Sequence, residues 1–212
     1  QALLLVLQRL RATDAIPRDL PIYLDSPMAT EATALYERHR RLLRVPAREM
    51  VGLMDGVRVV TDAAASMRLS ASLAGRRYPR IVISASGMAT GGRVLHHLKA
   101  VAPDDRHAVV FAGFQVGGSR GARMVAGEPT VRIHGEEVPV RATVCHLQGF
   151  SGHADRRELL QWLRGIEGGR APARTFVVHG EADAADGMRQ AIEHDLGCPG
   201  VRVPQLGEAV PV

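Results

Sequence analysis

The sequence predicts an α/β protein: a parallel-sheet domain with flanking helices, followed by a smaller segment of mixed strands and helices. Three observations carry this prediction. Short apolar runs rich in β-branched residues alternate with helical segments through the first 126 residues. The spacing between those runs leaves room for a helical crossover, the connection that parallel strands require. After Gly127 the extended runs lie too close together for a crossover and suit an antiparallel hairpin.

The elements follow in order. The opening stretch QALLLVLQRL reads as the interior of a helix and lacks the basic region and small-residue cleavage site of a signal peptide. With Gln1 rather than Met at its start, the chain is expected to be a piece of a longer protein. Strands are expected at 21–25 (PIYLD), 57–60 (VRVV), 80–84 (RIVIS) and 108–113 (AVVFAG), each apolar and bounded by Pro, Gly or polar residues. Helices fall near 27–39, 62–74 and 90–102. Asp25 or Ser26 is placed to cap the first of these. The segment VRIHGEEVPVRATVCHLQGF then carries two extended stretches separated by Glu136–Glu137. A helix over 155–165, a strand over 174–180, a helix over 184–196 and a short strand over 201–204 complete the chain. Asp155, with Glu158 three residues on, reads as a capping box. Trp162 shares a helical face with Leu159 and Leu163 and is assigned to the core. The division is expected between 1–126 and 127–212.

Composition narrows the function classes. A 212-residue chain with 46% hydrophobic residues can bury a core and is not disordered. No apolar run approaches the ~18–20 residues that cross a membrane. Two cysteines exclude a disulfide framework and a four-thiolate zinc site, and suit a reducing, cytoplasmic setting. The net charge is +5, and Lys99 is the only lysine beside 26 arginines. A basic balance favours a polyanionic partner such as nucleic acid, while a GC-rich genome explains the arginine bias equally well. The runs RHRRLLR at 38–44 and Arg76–Arg77 are read as solvated faces.

Four motifs carry chemistry. In ISASGMATGGRVLHHLK, a strand ends at Ser84 and a loop with Ser86, Gly87 and Thr90 leads into a helix, with Arg93 in its first turn. Glycines that permit close approach, next to a helix N-terminus, make a candidate phosphate cradle, and the alternative is a plain strand–helix turn. AGFQVGGSRGARM repeats the arrangement, with Gln115 in its loop and Arg120 and Arg123 beyond. Loops at strand C-termini gather at one edge of a parallel sheet, so the two are expected side by side. GFSGHAD and VVHGEAD each set a histidine in a turn, His153 and His179, in the setting of a general acid–base or a metal ligand. Two histidines cannot hold a catalytic zinc, which takes about three protein ligands. His96 and His97 are assigned to packing or surface.

DSPMAT, SASGMATGGR, the GFQ loop, FSGHAD and VVHGE, in this order and spacing, resemble the β-CASP branch of the metallo-β-lactamase-fold nucleases. The likeness is greatest to RNA-processing exo/endonucleases similar to the polyadenylation endonuclease, and it spans nearly the whole chain. The resemblance implies a β-CASP domain inserted into a metallo-β-lactamase αββα fold, with two zinc ions hydrolysing RNA phosphodiester bonds in the cleft between them. It implies that His153 lies at the scissile phosphate and that His179 is a zinc ligand. It implies RNA-phosphate contacts from Ser151 and Gly152 and from the two Gly-rich loops, through Ser84, Ser86, Gly87, Arg93 and Gln115. The family's HxHxDH motif and further metal ligands precede the β-CASP insert, so this chain begins after them. It is expected to be inactive alone, although the longer protein is a ribonuclease acting on single-stranded RNA. Exposed edges after residue 127 suggest a homodimer. The competing reading is a non-catalytic RNA-binding scaffold, and the intact His153 and His179 favour the enzyme. A DNA-directed member typically carries Val at the position of His179. A nucleotide-binding domain is disfavoured because no acidic residue stands suitably after a GxGxxG.

Overall fold

The computed structural model describes residues 1–74, 78–150, 152–166 and 174–210. The chain forms two compact units, Gln1–Ser151 and Gly152–Val212.

The first unit is built on three parallel strands in the order β2–β1–β3, namely Val57–Val59, Ile22–Asp25 and Ile81–Ser84. Leu24 in the central strand stands opposite both Val59 and Ile83. Ile22 and Leu24 are buried with Leu4 of α1 (Ala2–Ala12) and with Met50 and Leu53. Helix α2 (Pro27–Arg38) follows β1. Its N-cap is Ser26, whose hydroxyl accepts from the Ala29 N–H at 3.2 Å, with Pro27 at the first helical position. That settles the Asp25/Ser26 alternative and leaves Asp25 for another role. A 3-10 turn (Arg40–Leu42) and α3 (Ala47–Met50) lead to β2, and α4 (Ala63–Leu73), capped by Asp62, leads to β3. Helix α5 (Val94–Val101) leads out of the sheet.

The fourth expected strand forms but does not join that sheet. β4 (Ala108–Ala112) pairs in parallel with β7 (Thr143–Leu147), Phe111 opposite His146. Between them lie α6 (Arg120–Val125) and an antiparallel hairpin of β5 (Thr130–Ile133) and β6 (Glu136–Pro139). The hairpin turns at His134–Gly135, not at Glu136–Glu137. Both turn residues have positive φ, 50° and 83°, as a two-residue type I′ turn demands. The glutamates begin β6. Leu98, Phe111, Met124, Val131 and Ile133 form the core beneath these elements. The expected division at 126/127 falls inside this unit, because β7 is the strand with which β4 pairs.

The second unit holds α7 (Arg156–Arg164), β8 (Thr175–Phe176), α8 (Ala182–Leu196) and β9 (Val201–Arg202), with β8 and β9 parallel. Leu160, Ala191, Ile192, Cys198 and Val201 make its core. The long strand expected over 174–180 shrinks to β8. Trp162 is 65% exposed, contrary to its assignment to the core. Helix α7 packs through Leu160 and Leu163, and that turns Leu159 and Trp162 outward. Among the described residues no helix is long and apolar enough to cross a membrane.

Candidate functional site

An aspartate ends the central strand of an otherwise apolar sheet, and a buried carboxylate must be paired or heavily hydrogen-bonded to persist there. Asp25 is fully buried. Arg93 donates to its Oδ1 at 2.8 Å, while Ser66 from α4 and Nε2 of His97 from α5 reach its Oδ2 at 2.5 and 2.6 Å. Nδ1 of His97 takes the Ser70 hydroxyl at 2.8 Å. Burial alone would raise the carboxyl's pKa. The hydrogen bonds from Ser66, Arg93 and His97 outweigh it and hold Asp25 below the usual carboxylate range. Burial in turn pushes His97 below its ordinary value against the opposite pull of Asp25. At neutral pH the cluster is therefore an Asp25–Arg93 ion pair with a neutral imidazole donating from Nε2. Arg93 also donates to the carbonyls of Val60 and Thr61, and Ser84 to the carbonyl of Asp25 at 3.0 Å. The C-terminal ends of β1, β2 and β3 are thereby tied together. Sequence reasoning missed His97 because its partner is 72 residues away; the signal was the carboxylate at the end of an apolar strand.

The two Gly-rich loops meet, as expected, although β3 and β4 stand in different sheets. Nε2 of Gln115 donates to the carbonyl of Gly87 at 3.0 Å, the N–H of Gly121 donates to the carbonyl of Met88 at 3.0 Å, and Arg120 bonds the carbonyl of Ala89. Gly121 is needed for this approach. A Cβ there would sit 1.8 Å from Gln115 Oε1 and 3.1 Å from Met88 O. That Gln115 oxygen is buried and has no hydrogen-bond partner. Ser86 accepts the Thr90 N–H at 3.1 Å inside its own loop, and Gly87 is exposed with open space where a side chain would point.

The arginines beside these loops are engaged within the chain. Arg93 serves Asp25, Arg120 the carbonyls of Ala89 and Arg132, and Arg123 pairs with Glu128 at 2.6 Å. The first N–H groups of α5 are also taken, Val94 by Ala85, Leu95 by Gly92 and His96 by Arg93. The turn reading of SASGMATGG therefore describes its backbone, with Gly87, Thr90 and Gly92 exposed.

In the second unit, Asp155 and Glu158 form the capping box that the sequence predicts, with bonds of 2.8 and 3.0 Å. It fixes the entrance of α7 two residues after His153, and His153 and Gly152 are both exposed. Ser151, and with it Arg76 and Arg77 of the first unit, lie outside the described residues. His179 is exposed just beyond β8 and adopts φ 62°, a left-handed conformation unusual for a residue with a side chain. Such backbone strain gathers at functional sites. Among the described residues, no three His, Cys, Asp or Glu side chains converge where a metal ion could bind. A catalytic zinc needs about three protein ligands, so these residues alone do not make a zinc centre.

Comparison with known proteins bears on the same segments. Residues 1–124 match the family described as the Beta-Casp domain. Residues 137–204 match the Zn-dependent metallo-hydrolase RNA specificity domain. The chain is similar to ribonuclease TTHA0252 of Thermus thermophilus, 42% identical over 203 residues that cover 93% of this chain and 44% of that protein. It is similar to the transcription termination factor FttA of Pyrococcus abyssi, 31% identical over 205 residues, 93% of this chain and 31% of that protein. FttA of Thermococcus kodakarensis is 30% identical over 218 residues, 99% of this chain and 33% of that protein. The chain spans less than half the length of each of these relatives.

Proposed function

Because the chain belongs to the Beta-Casp family and matches the RNA-specificity domain of the Zn-dependent metallo-hydrolases, we propose that it is part of a ribonuclease that hydrolyses single-stranded RNA. In this reading residues 1–126 are the β-CASP domain and 127–212 belong to the metallo-β-lactamase fold. The observation that carries it is the pair of exposed histidines, His153 at a capping-box turn and His179 in a strained left-handed one, both inside the RNA-specificity match.

His153 stands at the scissile phosphate, where an imidazole can donate a hydrogen bond to a phosphate oxygen or move a proton. Ser151 and Gly152 lie beside it on the phosphate. Gly87, Ser86 and Gln115 line the path of the RNA backbone, with Gly87 allowing the closest approach. Ser84 and Arg93 act through Asp25, which fixes the loop ends that carry the others. His179 would be one of several ligands to a zinc ion, which would supply a Lewis acid at the phosphate when bound. The location is cytoplasmic. Exposed Trp162 and Val178 support self-association as a homodimer.

The test is cleavage of labelled single-stranded RNA, with zinc, by the longer protein that contains this chain. Turnover is expected to fall at least about 100-fold in His179→Ala and in His153→Ala, with RNA affinity changed much less. RNA bound but not cleaved by the unaltered longer protein would support the scaffold reading. Cleavage by residues 1–212 alone, abolished by His179→Ala, would overturn the assignment of the remaining zinc ligands to sequence outside this chain.

A further inference from the structure

The run Arg38–His39–Arg40–Arg41–Leu42–Leu43–Arg44, read from sequence as a solvated face, holds more than its share of the charge. Residues 38–48 contain five arginines and no acidic residue. Of the chain's 27 basic residues, removing these five leaves 22, against 22 acidic ones. The whole net charge of +5 therefore sits in eleven consecutive residues. Several arginines elsewhere are paired with acids: Arg9 with Glu49, Arg93 with Asp25, Arg123 with Glu128, Arg189 with Asp186. Among the described residues, Arg38, Arg40, Arg41, Arg44 and Arg48 make no ion pair and no side-chain hydrogen bond, and all five are exposed. Glu49, the acid that follows the run, is already bound by Arg9 at 2.5 Å.

The segment is anchored rather than loose. Leu43 and Val45 pack against the Leu4–Ile22–Leu24 core, and Met50 belongs to it. The backbone is pinned while the guanidinium groups face solvent, and Leu42 among them is 81% exposed. A like-charged, unpaired cluster opposes folding through self-repulsion and contributes no contact in return. Its chemistry is that of a phosphate-binding strip, since guanidinium groups pair with phosphate oxygens in a bidentate way.

Its place in the fold separates it from the loops described above. α2 follows the C-terminal end of β1 and extends for 12 residues, about 18 Å. The strip begins where α2 ends.

We propose that Arg38, Arg40, Arg41, Arg44 and Arg48 form an exosite that grips the phosphate backbone of single-stranded RNA at a distance from the loops at the strand C-termini. The proposal rests on the reading of RNA as substrate. The experiment is titration of residues 1–212 with a labelled oligouridylate of about 20 nucleotides, repeated across a salt series. One variant changes all five arginines to Gln. A charge-matched variant changes Arg18, Arg106, Arg141, Arg164 and Arg202 to Gln. Each phosphate contact contributes about 0.7 to the slope of log affinity against log salt, so losing the strip is expected to flatten the slope by about 2–3.5. Affinity at low salt should drop at least about tenfold, with little change in the charge-matched variant. The milder R40Q/R41Q pair, on the 3-10 turn alone, should flatten the slope by about 1.4 and serves if the five-fold variant folds poorly. Equal losses in the two five-fold variants, or an unchanged slope in the strip variants, would overturn the exosite and leave the RNA reading intact. Failure of the unaltered protein to bind RNA would overturn both. Binding to anionic phospholipid vesicles instead, lost with the strip, would overturn RNA as the occupant.

Discussion

Replacing Asp25 by Ala tests the cluster that ties the ends of β1, β2 and β3. The carboxylate is fully buried and receives hydrogen bonds from Arg93, Ser66 and His97 at 2.8, 2.5 and 2.6 Å. Its loss leaves the Arg93 cation, whose side chain is only 21% exposed, without a counter-charge. Removing one partner of a buried ion pair costs about 3–5 kcal/mol. Arg93 keeps the carbonyls of Val60 and Thr61 at 3.0 and 3.4 Å, so the low end, about 3 kcal/mol, is expected. For a unit of this size that corresponds to a fall in Tm of about 6–12 °C. The assay is denaturant unfolding followed by far-ultraviolet circular dichroism, because the only tryptophan, Trp162, lies in the other unit and does not report on this one. A double-mutant cycle with Arg93→Ala isolates the pair. The double variant should cost about 2 kcal/mol less than the sum of the singles, since it removes the stranded cation. Additivity within about 0.5 kcal/mol, or a cost below about 1 kcal/mol for Asp25→Ala, would refute the ion-pair account.

Three further outcomes are expected. Acid should destabilise the first unit in two stages. Burial lowers His97 in the fold, so below its ordinary value of 6.5 the unfolded chain binds a proton that the folded one does not, and stability falls. Below the ordinary carboxylate value of 3.8, Asp25, held low in the fold, adds a second loss in the same direction. His97→Gln should flatten the dependence of the urea midpoint on pH between about 6.5 and 5, and an unchanged slope would exclude His97 as its source. Gly121→Ala should lower stability by about 1–3 kcal/mol, because its Cβ meets Gln115 and the Met88 carbonyl, and thermal unfolding measures this. At a dilution where the chain is monomeric, Trp162→Ala should change stability by no more than about 0.5 kcal/mol and iodide should quench the native tryptophan freely; an indole shielded in the monomer would restore it to the core.

What the sequence disclosed depended on the range of the forces involved. The strands at 21–25, 57–60, 80–84 and 108–113 were legible because β-branched runs between turn residues announce themselves locally, and the capping box at Asp155 and Glu158 for the same reason. The SASGM and GFQ loops do meet, but β3 and β4 lie in different sheets, so the shared sheet edge expected from the sequence is not what brings them together. Pairing was not legible: nothing near Ala108–Ala112 says that its neighbour will be Thr143–Leu147. Periodicity located an apolar stripe on α7 but not which half of it would find a partner, and so Trp162 was misplaced. Asp25 and His97 are joined by a bond across 72 residues, and Arg93, assigned to phosphate from its place in the loop, has Asp25 as its counter-ion. The strained φ of His179 has no sequence signature, because histidine does not advertise a left-handed backbone as glycine does.

The β4–β7 ladder bears on how such proteins can be taken apart or recombined. The Beta-Casp match stops at residue 124 and the RNA-specificity match starts at 137, yet Thr143–Leu147 from the second is hydrogen-bonded to Ala108–Ala112 from the first. The border between the two inherited modules is therefore stitched shut by a strand that crosses it. A cut at the border would strip β4 of this partner and bare a row of unpaired N–H and C=O groups that invites aggregation. A cut after residue 151 keeps the ladder whole. Exchange of one module between relatives should succeed only when the donor strand and the recipient strand travel together.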